Sequence, residues 1–247
     1  MVNADPAAQL RLLDLQSADT ELEQLVHRRS SLPEIAALAA SDAQAEQLRG
    51  ETLELNTRLG DVTVDQRRLE NEVDVVQTRA KRDEQRLTAG GLPGKELEGL
   101  QHEITSLTRR QSNLEDDLLE IMEQRESIES ELASIAAKQA AAEAGRAELV
   151  ASRDAALASI AEATAQRSTE RDAIAADLPG DLLALYDRVR ASSGGVGAAM
   201  LRKRRCEGCH LELAGSELGA ARGAAPETVL RCENCRRILV RTDESGL

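Results

Sequence analysis

The sequence predicts a mainly α protein, a long antiparallel helical hairpin (coiled coil) followed by a small β-rich ribbon. Three observations carry this. Apolar residues recur at alternating steps of three and four along two long stretches, a glycine- and proline-containing break separates those stretches, and four cysteines fall as two Cys-x-x-Cys pairs after them. Composition agrees. The 247 residues include no Trp, no Phe and one Tyr, Tyr186, while 41% are apolar and 30% charged. Aliphatic and charged residues without aromatics suit long helices better than a large globular core.

The downstream arm shows the pattern most clearly. One row reads Leu100, Leu107, Leu114, Ile121, Ile128, Ile135, Ala142 and Leu149. The second row reads Leu97, Ile104, Gln111, Leu118, Arg125, Leu132, Gln139 and Arg146, so polar residues interrupt one row only. Such positions fix register at some cost in stability. The upstream arm supplies a matching series from Leu48 through Thr52, Leu55, Leu59, Val62, Gln66, Leu69, Val73, Val76, Ala80 and Asp83 to Leu87.

Between the arms lies Thr88-Ala89-Gly90-Gly91-Leu92-Pro93-Gly94. Glycines end one helix and the proline sits where the next can begin. So short a break turns the chain back on itself, with the tip near 88–95. Facing residues then sum to roughly 182, and each arm runs about 83 residues, roughly 125 Å. An irregularity is expected at one level on both sides. Ser31-Leu32-Pro33-Glu34 reads as a capping box with a helix restart or kink, and the heptad slips by one residue near Leu149-Val150. The apolar seam is a core in the first instance, although apolar residues in excess of it could dock a third helix or a second chain. His27 and His102 have no neighbours at ligand spacing and are read as solvated surface residues.

The hairpin is placed at 1–178. A short amphipathic helix and link follow over 179–195, in which Pro179-Gly180 stops the preceding helix and Ser192-Ser193-Gly194-Gly195 reads as flexible. The ribbon is placed at 196–247. Its cysteines stand at Cys206, Cys209, Cys232 and Cys235, as Cys-x2-Cys, 22 residues, Cys-x2-Cys. Zinc takes four soft ligands in a tetrahedron, and two such knuckles supply them. Ala198–Leu201, Val229–Leu230 and Ile238–Val240 provide the β-prone pieces of a zinc ribbon holding one Zn2+ per chain. A redox pair would need one Cys-x-x-Cys in a β-α-β setting, which this sequence lacks. About 50 residues without Trp or Phe cannot hold together by burial alone, and metal binding contributes on the order of 10–16 kcal/mol in finger peptides. His210 is the one competing ligand.

At these residues the sequence resembles the bacterial family of coiled-coil hairpin proteins that end in a four-cysteine (C4-type) zinc ribbon, formerly a domain of unknown function. The likeness runs through "LLDLQSADTELEQL…LPEIAAL", "GKELEGLQHEI", "DLLALYDRVR" and "CEGCHLEL…VLRCENCRRILV". It implies that the four cysteines are the zinc ligands. Members commonly carry glycine after the last cysteine, where this sequence has Arg236. If φ is positive there, a non-glycine residue costs about 1 kcal/mol. Some relatives act as chaperones or adaptors for an alternative sigma factor and for flagellar components, and RNA contact has been proposed.

Charge divides unevenly. Residues 1–195 carry 22 Lys and Arg against 37 Asp and Glu, a net of −15, whereas residues 196–247 carry nine against seven. The hairpin therefore repels nucleic acid and only the ribbon can attract it. Two functions compete. An adaptor would bind protein partners through the tip, at Lys95, Glu96, Gln101 and Glu103. Nucleic-acid binding, RNA or DNA, would use Arg202, Lys203, Arg204, Arg205, Arg231, Arg236, Arg237 and Arg241. Those cations could equally be solvated or paired with the acidic arm, and no aromatic residue is there to stack on bases. No nucleophile–base set, phosphate loop or paired carboxylates can be read, so neither an enzyme nor a small-molecule substrate is expected. No apolar run approaches the ~20 residues of a membrane span, and the opening MVNADPAAQLRLLDLQ has no secretory pattern, so the expected location is cytoplasmic with no membrane partner.

Overall fold

The computed structural model describes residues 2–247. The chain is mainly helical and divides into two compact units, Ala36–Val150 and the pair Met1–Ile35 with Ala151–Leu247. Among the described residues no helix is long and apolar enough to cross a membrane.

The Ala36–Val150 unit is the antiparallel pair of arms. Helix α2 (Pro33–Ala89) and helix α3 (Gly94–Ala176) meet at a turn in which Gly90 and Gly91 take φ of 72° and 82°. Left-handed backbone at both positions is what glycine permits without a Cβ penalty. The Pro93 carbonyl then accepts from the Glu96 and Leu97 amides at 2.9 and 3.0 Å and starts α3. Along the arms Leu48 and Leu55 bury against Ile128 and Ile135, and Leu69, Val76 and Ala80 against Leu107 and Leu114.

The polar seam residues find each other. Arg125 donates to Gln66 Oε1 at 3.2 Å and Gln139 donates to Thr52 Oγ1 at 3.1 Å, both across the arms. A slipped register would strand these groups against apolar neighbours, so they specify the pairing. Both pairs sum above roughly 182 because side chains on each helix lean toward its own N-terminus, and residues that touch therefore lie C-terminal to those at the same level.

In the other unit, helix α1 (Pro6–Ser30) begins under Asp5, whose carboxylate accepts from the Ala7 amide at 2.8 Å. The predicted interruption is present, since α1 ends at Ser30 and α2 starts at Pro33, while α3 runs unbroken through Leu149-Val150. The capping box is absent. Ser31 donates both its amide and its hydroxyl to the His27 carbonyl, closing α1, and Glu34 Oε1 instead accepts from Ser152 at 3.0 Å. Proline at the start of α2 needs no N–H partner, so the serine is free to serve the helix before it.

Helix α4 (Gly180–Ser192) and α1 enclose the principal core, with Leu12, Leu15, Leu182 and Tyr186 all fully buried. A four-stranded sheet packs on it in the order β2 (Arg205–Cys206), β1 (Ala198–Arg202), β4 (Ile238–Val240), β3 (Leu230–Arg231). Strands β1 and β4 are parallel and the outer pairings antiparallel. Side chains alternate across β4. Ile238 and Val240 enter the α1–α4 core, and Leu239 enters a second core with Leu201, Cys206 and Cys232. The predicted strands are present. Helix α5 (Gly215–Gly223), between the knuckles, was not read from the sequence. Beside β3 the N-terminal segment adds a bridge, Asn3 to Thr228, and Ala4 donates to the Glu227 carbonyl at 2.8 Å.

A buried polar knot joins sheet and helices. Asp19, 2% exposed, accepts from Tyr186 OH at 2.7 Å and from Arg171 Nε at 3.1 Å, and Arg190 Nε lies at 3.4 Å. Gln16 Oε1 accepts from the Gly197 amide at 2.6 Å, and its Nε2 donates to the Gly195 carbonyl at 3.0 Å. The Ser192–Gly195 link, expected to be flexible, is therefore tied to α1. Burial and the Asp19 carboxylate both push the Tyr186 phenol far above its ordinary value, so it stays a neutral donor.

Replacing Tyr186 by Phe removes one charge-assisted hydrogen bond and should cost about 1.5–3 kcal/mol. Asp19→Ala should cost more, because it also strips a carboxylate from Arg171 and Arg190. Thermal melts of both variants test this, and equal losses would show that Asp19 matters only through the tyrosine.

Candidate metal centre

The two knuckles are built alike. In each, the residue after the second cysteine turns left-handed and its amide returns to the carbonyl of the first. His210 has φ of 60° and donates to the Cys206 carbonyl at 2.7 Å; Arg236 has φ of 64° and donates to the Cys232 carbonyl at 2.8 Å. Backbone N–H groups of Gly208 and Cys209 point at Cys206 Sγ, those of Asn234 and Cys235 at Cys232 Sγ, and that of Arg237 at Cys235 Sγ. The positive φ expected at Arg236 is present, and His210 occupies the equivalent place in the first knuckle.

These turns bring the four Sγ atoms within 4.8 Å of one another. Two of the pairs join opposite knuckles, Cys206 to Cys235 at 3.8 Å and Cys209 to Cys232 at 3.9 Å. A sulfur tetrahedron around zinc, with bonds of ~2.3 Å, has edges of about 3.8 Å. Disulfide bonding would need sulfurs ~2.05 Å apart, and all four cysteines are free. The cluster can therefore hold a metal ion, and its donors are of the soft type that zinc accepts. Burial pushes the Cys206 and Cys232 thiols up. At Cys235 burial acts the same way but is outweighed by the Arg237 amide and the neighbouring sulfurs, which lower it. A divalent cation bound here would favour the thiolate form of its ligands. Exposed His210 lies outside the cluster.

A second carboxylate supports the site. Glu217 on α5 is 7% exposed and accepts from the Glu233 amide, inside the second knuckle, at 2.9 Å. Its segment, GSELGAARG, is rich enough in glycine to read as loop, so no sequence signal marked it.

The basic residues do not form one free patch. Lys203 and Arg204 are the two turn residues of the β1–β2 hairpin, with φ of 43° and 64°, and their amides donate to Glu244 and Ser245 carbonyls at 2.7 and 2.8 Å. Arg202 pairs with Glu244 at 2.7 Å. Arg205 donates to the His210 carbonyl at 2.7 Å and Arg231 to that of Arg236 at 2.9 Å. Arg237 grips three carbonyls, of Val196, Gly208 and Ser193, at 3.2, 2.6 and 2.8 Å. Arg241 binds those of Ala224, Ala225, Pro226 and Thr228 at 2.8–3.1 Å. At the tip, Lys95, Glu96 and Gln101 are exposed, and half-buried Glu103 pairs with Arg79 at 2.6 Å.

Arg237→Ala should loosen the ribbon, lowering its melting temperature and speeding metal loss to a chelator, whereas Arg204→Ala should change neither. Arg236→Gly should act oppositely and gain up to about 1 kcal/mol by relieving the left-handed strain. A chelator-competition time course on the three variants checks both directions.

Residues 15–194 match the family described as a CT398-like coiled coil hairpin domain, and residues 205–239 match a C4-type zinc ribbon domain. The protein Rv2229c of Mycobacterium tuberculosis is 38% identical over 242 residues, covering 98% of each chain. A solved structure from Mycobacterium smegmatis is 33% identical, spans 98% of this chain and 100% of its own, and superposes with a TM-score of 0.83. The structure of CT398 from Chlamydia trachomatis, at 19% identity and a TM-score of 0.67 over 96% of this chain and 98% of its own, shares the fold. By the hairpin match and the full-length relatives, this chain belongs to the family of CT398-like coiled-coil hairpin proteins, here joined to a C4-type zinc ribbon.

Proposed function

We propose that the chain is a non-catalytic adaptor, chaperone-like in its mode of action, that engages protein partners through its hairpin while one Zn2+ holds the ribbon together. A site of four thiolates is closed to water and substrate, so its role is structural. Thiolate ligation suits a reducing compartment such as the cytoplasm. The observation that carries the partner reading is the placement of the ribbon's cations. Arg202, Arg205, Arg231, Arg237 and Arg241 are held by the ribbon's own carbonyls and by Glu244. Those guanidiniums stay charged, but their N–H groups are engaged in part by the ribbon's own fold, whereas the exposed side chains of the hairpin, the tip included, are the surface that folding leaves unassigned.

Elemental analysis should find close to one zinc per chain, and Cys206→Ser or Cys232→Ser should abolish retention. A value near zero in the native protein would overturn the metal assignment. For partners, affinity capture with native protein and a Lys95/Glu96/Gln101→Ala variant should differ in specific proteins; an unchanged set counts against the tip. In the same preparation, labelled RNA and duplex DNA should bind negligibly at two salt concentrations. Salt-sensitive binding lost in Lys203→Ala/Arg204→Ala would favour nucleic acid instead.

A further inference from the structure

The two knuckles use their backbone amides alike, with one exception. In the first, the amides of Gly208 and Cys209 point at Cys206 Sγ, and that of His210 returns to the Cys206 carbonyl. In the second, those of Asn234 and Cys235 point at Cys232 Sγ, and that of Arg236 returns to the Cys232 carbonyl. The exception is the amide directly after the leading cysteine. Glu207 donates to the Met200 carbonyl of β1 at 3.0 Å, whereas Glu233 donates to Glu217 Oε1 at 2.9 Å. A strand of the sheet holds the first knuckle at this point, and a side chain of α5 holds the second.

Helix α5 is weak support by its own sequence. It has nine residues, three of them glycine, and Ala214 gives it no side-chain cap. So short a helix does not persist alone, and an interior glycine costs about 1 kcal/mol against alanine. Tertiary contact keeps it formed. Ala221 is buried, and Leu218 packs on the core of Leu201, Leu213, Cys206 and Cys232.

Packing does not explain Glu217. While its Oε1 takes the Glu233 amide, its Oε2 is buried and has no hydrogen-bond partner among the described residues. Burying a half-satisfied carboxylate lowers stability, so an apolar residue would suit this place better if filling space were the only task. What the carboxylate adds is an acceptor for the peptide that leads from Cys232 into the two amides aimed at its sulfur.

We propose that Glu217 is a positioning residue of the metal centre, and that the second knuckle is the half of the site through which metal is exchanged. The proposal rests on the reading that the four thiolates hold zinc. When α5 shifts, the Glu233 amide loses its acceptor, and Cys232 and Cys235 are free to leave the cation. Cys206 and Cys209 stay in place, because β1 holds their knuckle through Met200.

On the zinc-loaded full chain, hydrogen exchange should be faster at the Glu233 amide than at the Glu207 amide, a comparison that needs no substitution. Glu217→Ala should speed zinc transfer to a chromogenic chelator by roughly 10–100-fold, and should strip protection from Glu233 while Glu207 keeps its own. Glu217→Gln retains an oxygen acceptor at the same reach and should release zinc close to the native rate. Equal or slower native exchange at Glu233 overturns the proposal. So does native-rate release from Glu217→Ala, or release from Glu217→Gln as fast as from Glu217→Ala. Joint loss of protection at Glu207 and Glu233 also overturns it, since that marks a general loosening of the ribbon. Zinc content of the native chain is measured first. A value near zero defeats the metal assignment and this proposal with it, whereas each of the other adverse results defeats this proposal alone.

Discussion

The ribbon has too little apolar mass to fold by itself, and that shortage organises everything around it. Its sheet answers by facing two cores. Alternate residues of β1 and β4 point to opposite sides, so Ala198, Ile238 and Val240 complete the α1–α4 core while Ala199, Leu201 and Leu239 back the cysteine cluster. A strand pair buried on both faces is the setting in which parallel pairing, as between β1 and β4, is usual. The Gln16–Asp19–Tyr186 knot then satisfies polar groups that this burial would otherwise strand. Gly197 permits the approach, because a Cβ there would stand 2.8 Å from the Tyr186 ring. The sole aromatic residue is placed where helices, sheet and link converge.

Much of this could be read from residues alone, for a physical reason. A heptad seam is a local, repeated signal, and Leu48 to Leu87 and Leu100 to Leu149 repeat it often enough to set arm lengths and turn. The cysteines are equally plain, because metal geometry constrains spacing. What escaped was decided by distant partners. Ser31 and Glu34 have the spacing of a capping box, yet Ser31 closes the preceding helix and Glu34 meets Ser152, far along the chain. The link at Ser192–Gly195 has a flexible composition, but Gln16 and Arg237 hold it. Bridging of Asn3 to Thr228 joins segments at opposite ends of the sequence, a pairing no local pattern announces.

The arginines show the same limit in electrostatic form. Counting charge around Cys206 and Cys235 suggests a cationic face, but a count carries no direction. Short strands and knuckle loops leave carbonyls outside any ladder, and a buried carbonyl needs a donor. A guanidinium presents five N–H groups in a rigid fork, so one side chain serves several such carbonyls, as Arg237 serves three and Arg241 four. In a domain with so little regular structure, arginine substitutes for backbone pairing.

Backbone strain follows the same division. The non-glycine residues with positive φ among those described are Lys203, Arg204, His210 and Arg236, all in the ribbon. Each costs about 1 kcal/mol or more, and each persists because its surroundings over-determine it. Lys203 and Arg204 are fixed by carbonyls of Glu244 and Ser245, and His210 and Arg236 by the returns that shape the knuckles. Those returns build a cluster that can hold a cation, and a cation bound there would couple ribbon folding to metal binding. The seam of α2 and α3 has no such dependence, because its polar pairs, Gln66 with Arg125 and Thr52 with Gln139, satisfy one another. Loss of metal should therefore be felt in the strained knuckles while the hairpin keeps its register.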